Sequence, residues 1–453
     1  YLLLMEKGIY TWEKRICFLS TAHTLKDVDK FIQNIIDVIH ELKANGFLND
    51  FSGIDKTIGV ESSETSFVAS TVQKRLYSLK AFDEGKSPYQ LTAAYTIKGQ
   101  INKEKLQNAI QSVYMRHPML RARFEVEVDG EIYLKYRNDF QYKLTVLSSN
   151  GLIIDQLIEK TEVELDLKSG PAFKVDLYEF DNLNHLIVFT THHCVIDGLS
   201  WDLFIQDFVA QLELKDSFRI QSQYQDFIAW QKSYFLSENY KTDKEFWLRQ
   251  FSDEIPLLEL PNDFSRPVRK TGKGGIVFGT LDAIVVNKLK DVAKKNACTI
   301  NMLLLGIYSI FLQKMSGQTS IIIGMPISGR PSKEFENTIG MMANSIALPL
   351  SIENNEFLPS YITKVKDKTL QAYQHQSYPF ERLVEQIVTS RDLSRNPIFD
   401  TMFVFEKGQK RVLKTAEFDF QPYPIKKDIS PYDLTLEVIE QNNEMSFNFE
   451  FNT

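Results

Sequence analysis

Two adjacent histidines, His192 and His193, are followed four residues later by an aspartate and a glycine, Asp197 and Gly198. A neutral imidazole can accept a proton or orient a nucleophile near physiological pH, because its unperturbed pKa is about 6.5. Neighbouring residues of a strand point to opposite faces, so only one of the two rings can face a given cleft. The other ring is expected to be a hydrogen-bonded core group.

A strand and a helix must position these residues. Residues 185–189 form an apolar run typical of a buried strand, and Leu203, Phe204, Asp207 and Phe208 have the spacing of a helix face. The histidines and Asp197 therefore occupy a strand-to-helix turn, where an aspartate before glycine more often braces the loop than reacts. Cys194 reads as a small apolar residue, and no further His or Cys stands at a metal-ligand spacing, so we predict no metal site.

Composition excludes several classes of protein. The 453 residues are 43% hydrophobic and 25% charged, as expected of folded domains, and 52 basic against 59 acidic residues give a net charge of −7. This mild acidity argues against nucleic acid as a partner, and no window reaches a membrane-spanning length. Three cysteines indicate free thiols and a cytoplasmic location. The chain begins with tyrosine, so we expect it to be a piece of a longer protein.

Residues 192–198, HHCVIDG, resemble the HHxxxDG signature of the condensation-domain superfamily of nonribosomal peptide synthetases, whose fold is related to chloramphenicol acetyltransferase. Six other segments resemble further motifs of that family in the expected order, so the resemblance covers about residues 67–453. These segments are residues 70–77, 116–124, 224–230, 339–345, 375–381 and 391–397.

The resemblance implies an α/β fold of two chloramphenicol-acetyltransferase-like subdomains, arranged as a V-shaped pseudo-dimer with the active site in a tunnel at their interface. A stretch rich in proline and glycine between Pro256 and Gly275 breaks the pattern of elements. We therefore predict an N-terminal subdomain over residues 67–255 and a C-terminal subdomain over residues 256–453. The second half lacks an HHxxxDG motif, so one site serves the whole unit.

The N-terminal residues read as a separate unit. Residues 12–24 resemble the closing strand and helix of pyridoxal-phosphate aminotransferases of the glutamate-semialdehyde type, and an apolar helix stripe follows to about Gly46. Residues 1–48 are thus predicted to be a C-terminal aminotransferase remnant without activity or bound cofactor, because the part that carries the Schiff-base lysine is missing. Residues 49–66 are polar, lack periodicity and read as a linker.

The reaction implied by the family is attack of an amine, carried as an aminoacyl thioester on a downstream carrier domain, on an acyl thioester of an upstream carrier. The products are an amide and a free carrier thiol. No cofactor is expected on this chain itself, because phosphopantetheine arms of the two carriers deliver the substrates, and an adenylation domain is the expected neighbour.

The resemblance assigns roles to individual residues. His193 is predicted to be the reacting imidazole, as a base or as a group that positions the amine, and His192 to support it. Asp197 is predicted to brace the loop with Arg330 as its partner, and Gly198 to supply conformational freedom or close substrate approach. The candidates for substrate binding are Asn344, Arg75, Gln73 and Trp201, each with packing or turn formation as the alternative.

Several other functions are possible for this fold. An epimerisation domain is the nearest alternative, because residues 198–201 also suit epimerases, while a heterocyclising domain would carry Asp in place of both histidines. A non-catalytic recruitment platform and an acyltransferase that uses coenzyme A are further alternatives. The aminotransferase-like tail resembles hybrid polyketide-peptide synthases of the iturin-like lipopeptide type, which suggests a β-amino acyl donor.

Overall fold

The structure, a computed structural model, describes residues 33, 36–38, 64–80, 87, 89–161, 165–353, 355–389, 392–408, 415, 418–425 and 429–453. The chain forms two compact units, Tyr1–Ser63 and Glu64–Thr453. In the first unit Gln33 and residues 36–38 are helical, and Val38 of the predicted apolar stripe is buried. The rest of the predicted aminotransferase remnant, and the predicted linker up to residue 63, lie outside the described residues.

The N-terminal half of the second unit contains seven strands and six helices within the described ranges. Helices α2 and α4 begin at side-chain caps, where Asn102 accepts a hydrogen bond from Lys105 N and Asp197 from Ser200 N. The strands are β1 (Glu64–Val68), β2 (Gln90–Lys98), β3 (Arg123–Val126), β4 (Ile132–Arg137), β5 (Thr145–Ser148), β6 (Phe173–Glu179) and β7 (Asn184–His192). The helices are α1 (Thr71–Lys80), α2 (Lys103–Arg116), α3 (Ile154–Thr161), α4 (Gly198–Leu212), α5 (Tyr224–Phe235) and α6 (Glu238–Gln250).

The C-terminal half follows after residues 251–273, which the structure describes without a helix or strand. Its strands are β8 (Gly274–Leu281), β9 (Ser320–Ile327), β10 (Asn344–Ser351), β11 (Thr401–Lys407), β12 (Asp419–Tyr423), β13 (Leu434–Gln441) and β14 (Glu444–Asn452). Its helices are α7 (Ala283–Lys295), α8 (Ile300–Ser316), α9 (Leu358–Gln374) and α10 (Phe380–Ile387). Residues 328–343, between β9 and β10, are called the bridging loop below.

Three sheets organise the second unit. Their strand orders are β1-β4-β3, β12-β2-β7-β6-β5 and β10-β9-β11-β13-β14-β8. Strand β12 comes from the C-terminal half but pairs antiparallel with β2 of the N-terminal half, from Asp419 opposite Lys98 to Tyr423 opposite Ala94. The linear division at residues 255 and 256 therefore assigns β12 to the wrong sheet. The linker prediction is also wrong at its end, because residues 64–66 belong to β1 and pair with β4.

Each half has its own hydrophobic core, and the first core also contains side chains from the second half. Phe335, Ile339 and Met342 of the bridging loop, with Phe418 and Phe420 next to and within β12, are buried with the side chains of α2, α4 and β7. A second cluster fills the space between the six-stranded sheet and helices α6, α8 and α9. The two halves therefore share buried apolar surface, which stabilises their mutual arrangement.

Helix α8 differs from its prediction. Its sequence is apolar nearly all round, so complete burial was expected, but Ile307, Phe311 and Met315 form an exposed stripe at intervals of four residues. Within the described ranges no single helix combines the length and apolar composition needed to cross a membrane; one bent pair, α7 and α8, which meet at 99°, satisfies both criteria together.

Candidate functional site

His193 lies one residue beyond the end of β7, at the start of the turn that leads into α4. Its backbone N donates to Tyr89 O at 2.8 Å, and its ring Nδ1 lies 3.1 Å from Ile196 O. A carbonyl oxygen can only accept, so the neutral ring carries its proton on Nδ1 and its lone pair on Nε2. The half-buried ring is thus held as the tautomer whose Nε2 can accept a proton or a hydrogen bond.

His192 occupies the last position of β7 and is 1% exposed. Its Nδ1 accepts a hydrogen bond from Cys194 N at 3.1 Å, whereas its buried Nε2 has no hydrogen-bond partner among the described residues. Burial, followed by the neighbouring His193, lowers the pKa of His192 to about 3. His192 is therefore neutral at physiological pH and shapes the turn.

Gln73 of α1 holds the same turn from the opposite side. Its amide Nε2 donates to Cys194 O at 2.7 Å, its Oε1 accepts from Ser70 N at 3.1 Å, and its side chain is fully buried. The nitrogen and the oxygen of the Gln73 amide are therefore both bonded to backbone groups, and the predicted role in substrate binding does not fit this position. The Cys194 thiol is also fully buried, and burial raises its pKa well above the usual range, as expected of an inert core residue.

Asp197 and Arg330 form the predicted ion pair, which the structure confirms. Arg330 Nη1 lies 3.0 Å from Asp197 Oδ2 and Nη2 lies 3.2 Å from Oδ1, and the two side chains are 3% and 2% exposed. The carboxylate also accepts from Ser200 N at 2.8 Å and from Met342 N and Ala343 N, each at 3.1 Å. One buried carboxylate thus caps α4 and fixes the bridging loop of the other half.

Two further side chains of the first half hold the bridging loop. Ser200 Oγ accepts from Gly340 N at 3.0 Å and lies 2.9 Å from Gly340 O. Tyr224 OH donates to Met341 O at 2.6 Å and lies 2.8 Å from Ser70 Oγ. Ser200 and Tyr224 were not predicted as site residues, because a serine in a helix and a buried tyrosine carry no signal of a distant backbone partner.

Glycine is required at two positions of the bridging loop. Gly329 has a φ of +62°, and a Cβ there would lie 1.7 Å from Met342 O. A Cβ on Gly340 would lie 1.9 Å from the Tyr224 ring. Any side chain at either position would displace the loop that Asp197 and Ser200 hold.

Gly198 is different from these glycines. It is exposed at the first position of α4, its φ lies outside the left-handed region, and a Cβ built on it would meet nothing within 4 Å. The conformational freedom predicted for Gly198 is therefore not needed in this fold. Close approach of a substrate is the alternative that remains from the sequence.

Asn344 begins β10 and joins it to the corner formed by residues 376–380. Its Nδ2 donates to Gln376 O at 3.1 Å and to Tyr378 O at 2.8 Å, and its Oδ1 accepts from Phe380 N at 3.0 Å. Because the amide is used by these backbone groups, the predicted contact with a substrate carbonyl does not fit, and Asn344 stabilises the corner.

Trp201 and Arg75 contact other side chains of the protein, as the packing alternative expects. Trp201 packs on the rings of Phe173 and Phe204, with centroids 6.1 and 5.6 Å away, and so lies partly buried against the core of the first half. Arg75 Nη1 contacts Glu381 Oε1 at 3.0 Å, and thereby joins α1 to α10 of the other half.

A partly open cavity lies where the two halves meet. Its wall includes Thr71 at the start of α1, Trp230 on α5, Arg330 and residues 342–344. His193 is not part of this wall, but Arg330, Met342 and Ala343 contact Asp197 in the same turn as the histidines. The turn that carries His193 therefore lies next to a cavity of mixed polar and apolar character.

Comparison with known proteins gives a consistent family. Residues 63–453 match the family model described as the condensation domain. The chain is 32% identical to bacitracin synthase 3 of Bacillus licheniformis over 95% of its own length and 6% of that protein. It is also 32% identical to tyrocidine synthase 3 of Brevibacillus parabrevis, over 86% of its own length and 6% of that protein. The chain thus spans only a small part of these curated relatives.

Solved structures support the fold. The X-domain of teicoplanin biosynthesis, solved in complex with OxyB, superimposes with a TM-score of 0.78 over 87% of this chain and 91% of that chain, at 19% identity. The condensation domain of the Monacolin K polyketide synthase MokA gives a TM-score of 0.75 over 86% of this chain and 92% of that chain, at 17% identity. At such low identity these likenesses establish the mixed α/β fold alone.

Proposed function

Because the chain belongs to the condensation-domain family of nonribosomal peptide synthetases, we propose that it forms amide bonds between carrier-bound substrates at His193. The amine of an aminoacyl thioester attacks the carbonyl carbon of an acyl thioester, so that a carbon–nitrogen bond forms and the carbon–sulfur bond breaks. The proton lost by the amine leaves with the carrier thiolate as a free thiol. The reaction needs no oxidant or metal to balance.

The orientation of the His193 ring is the observation that supports this proposal most directly. With its proton on Nδ1 and directed at Ile196 O, the ring presents a lone pair on Nε2 to the attacking amine. Nε2 can take the proton as the tetrahedral intermediate forms and return it to the departing sulfur, or hold the amine in position. Both roles require the same tautomer.

The substrates and partners follow from the same proposal. Two carrier domains, upstream for the donor and downstream for the acceptor, deliver their thioesters on phosphopantetheine arms, and an adenylation domain loads the acceptor carrier. Gly198 is the point of close approach, because it borders the same turn and a Cβ built on it would meet nothing within 4 Å. The donor is a β-amino acyl group, as the aminotransferase-like residues 12–24 suggest.

The proposal is tested by intact-protein mass spectrometry of an acceptor carrier mixed with a loaded donor carrier and the purified protein. Wild type should transfer the donor mass to the acceptor, and His193→Ala should slow the transfer by about 10²- to 10⁴-fold, the usual contribution of a positioned acid or base. His185→Ala removes an imidazole from the start of β7, away from the turn, and serves as the control. Both variants are compared at equal folded fraction.

Other outcomes would identify other functions. A folded wild-type protein that transfers nothing across a broad panel of donors and acceptors would be a recruitment platform. Loss of α-deuterium from a carrier-bound peptide without amide formation would identify an epimerase. Equal rates for β-amino, α-amino and unsubstituted donors would contradict the β-amino acyl donor while leaving amide formation intact.

A further inference from the structure

The two halves are joined by a second ion pair, separate from that of Asp197 and Arg330. Arg75 lies on α1 of the first half, and its Nη1 contacts Glu381 Oε1 on α10 of the second half at 3.0 Å. The Arg75 guanidinium carbon also lies 5.5 Å from the centroid of the neighbouring Phe380 ring. The Glu381 side chain is 10% exposed and that of Arg75 is 35% exposed. The pair is therefore partly shielded from water, and its attraction is stronger than that of a fully exposed pair.

Glu381 and Phe380 follow directly on the corner that Asn344 holds. Asn344 donates to Gln376 O and Tyr378 O and accepts from Phe380 N, and these three hydrogen bonds join the corner to β10 of the second half. A contact that anchors Glu381 to α1 consequently anchors the whole corner to the first half.

The cavity lies between these two anchored elements. Thr71 and Val72, one turn before Arg75 on α1, contribute the first half's side of the wall, and Gln376, Ser377 and Glu381 belong to the second half's side. Separation of Arg75 from Glu381 would move the two sides apart. The width of the cavity thus depends on an attraction between opposite charges on the two halves.

The charges on the cavity wall are already compensated. Glu381 is paired with Arg75, and Arg330 with Asp197. Other polar groups of the wall, such as those of Gln231, Gln376 and Ser377, are neutral donors and acceptors. A cavity of this kind suits an uncharged chain that contains amides better than a free carboxylate or phosphate.

We propose that Arg75 is a positioning residue that, through Glu381, holds the corner closed on the cavity and thereby tightens the binding of a substrate's uncharged, amide-containing arm. This inference rests on the proposed function, because the arm in question is that of a carrier-bound thioester. Arg75 acts on binding and not on the reacting atoms. Its loss should therefore raise KM and leave kcat nearly unchanged.

The experiment measures kcat and KM with soluble pantetheine thioesters as donor and acceptor, and Kd for an unreactive pantetheine thioether. Arg75→Gln and Glu381→Gln should each raise the Kd of the thioether by about tenfold. Each should also raise, by about tenfold, the KM of the thioester whose arm enters the cavity, and should change kcat less than twofold. The exchanged variant, Arg75→Glu with Glu381→Arg, should recover most of the affinity, because it restores opposite charges. The thioether used for Kd carries no charge, so that salt acts on the protein and not on the ligand.

Lys74→Gln provides the matched control. Lys74 is the neighbour of Arg75 on α1, and its ion pair with Glu131 lies within the first half. Its loss should leave KM and Kd unchanged. Raising the salt concentration from about 50 to about 500 mM should weaken binding to wild type and leave Arg75→Gln unaffected.

Three results would overturn the inference: a KM and Kd within twofold of wild type in folded Arg75→Gln, a fall in kcat without a change in KM, or failure of the folded exchanged variant to recover affinity. The thioether Kd does not depend on turnover. A protein that binds the thioether tightly but forms no amide would therefore contradict the proposed function and leave the role of Arg75 standing.

Discussion

Replacement of Arg330 by methionine should destabilise the second unit far more than loss of an ordinary ion pair. The substitution keeps most of the side-chain volume but removes two charged hydrogen bonds, at 3.0 and 3.2 Å, from a carboxylate that is 2% exposed. Three backbone amides, those of Ser200, Met342 and Ala343, still point at Asp197, but they carry no net charge. An uncompensated buried charge costs about 3 to 5 kcal/mol, so this loss in the free energy of unfolding is expected.

Asp197→Leu should cost a similar amount, because it leaves the Arg330 guanidinium buried without its partner. The double variant loses both charges together, so its cost should be smaller than the sum of the two single costs by at least about 2 kcal/mol. Wild type, the two single variants and the double variant form a double-mutant cycle, which measures the interaction energy between the two side chains.

Urea unfolding followed by far-ultraviolet circular dichroism measures these differences, with Arg382→Met as the control. Arg382 also contacts a carboxylate at 3.0 Å, that of Glu385, but its side chain is 42% exposed and that of Glu385 is 54% exposed. Its loss should cost less than about 0.5 kcal/mol. A loss below about 1 kcal/mol for Arg330→Met, or additive costs in the double variant, would refute the reasoning.

Two further predictions concern the turn and the bridging loop. Burial lowers the pKa of His192 to about 3 in the folded protein, so only the unfolded chain takes up a proton on this ring as the pH falls below about 6.5. Between pH 7 and 5 the free energy of unfolding of wild type should therefore fall by about 2 kcal/mol more than that of His192→Asn. Parallel pH dependences of the two proteins would contradict this prediction. Gly329→Ala should lower the free energy of unfolding by at least about 2 kcal/mol, because its Cβ would clash with Met342 O. Gly198→Ala should change that free energy by less than about 0.5 kcal/mol but should slow amide formation. Thermal unfolding measures the stabilities, and mass spectrometry measures the rate of transfer. Unimpaired transfer by Gly198→Ala would exclude close substrate approach at that position.

The sequence predicted the elements around the site well, because their signals are local. The capped start of α2 at Asn102, its end before Pro118, and the strand-to-helix turn at residues 192–198 all follow from residues near one another in the chain. The Asp197–Arg330 pair was also predicted, although 133 residues separate its members, because a buried aspartate requires a cation and the family resemblance limited the choice.

The roles of Gln73 and Asn344 could not be predicted from the sequence. Both are amide side chains in motifs, and an amide suits a substrate carbonyl as well as a backbone carbonyl. The choice depends on which backbone groups the fold leaves without partners, here those of Cys194 and of residues 376–380. Those groups lie 121 and about 30 residues away, so no local pattern indicates them.

The position of β12 was missed for a related reason. Its pairing partner β2 precedes it by more than 300 residues, and a five-residue strand with one buried side chain has little periodicity of its own. An exchange of strands between halves has no signature in a linear pattern of helices and strands. The turn chemistry of residues 256–275 therefore suggested a boundary that separates the other strands into their own sheets but not β12.

Strand β12 also has a consequence for the construction of hybrid synthetases. A recombination point at residue 256 would place two parents in one sheet, since residues 419–423 must match the edge of β2 and supply Phe420 to the first core. In a chimera joined there, five consecutive backbone pairs and a shared core would have to form between sequences from two different proteins. Recombination points that keep β2 and β12 in one parent avoid this conflict.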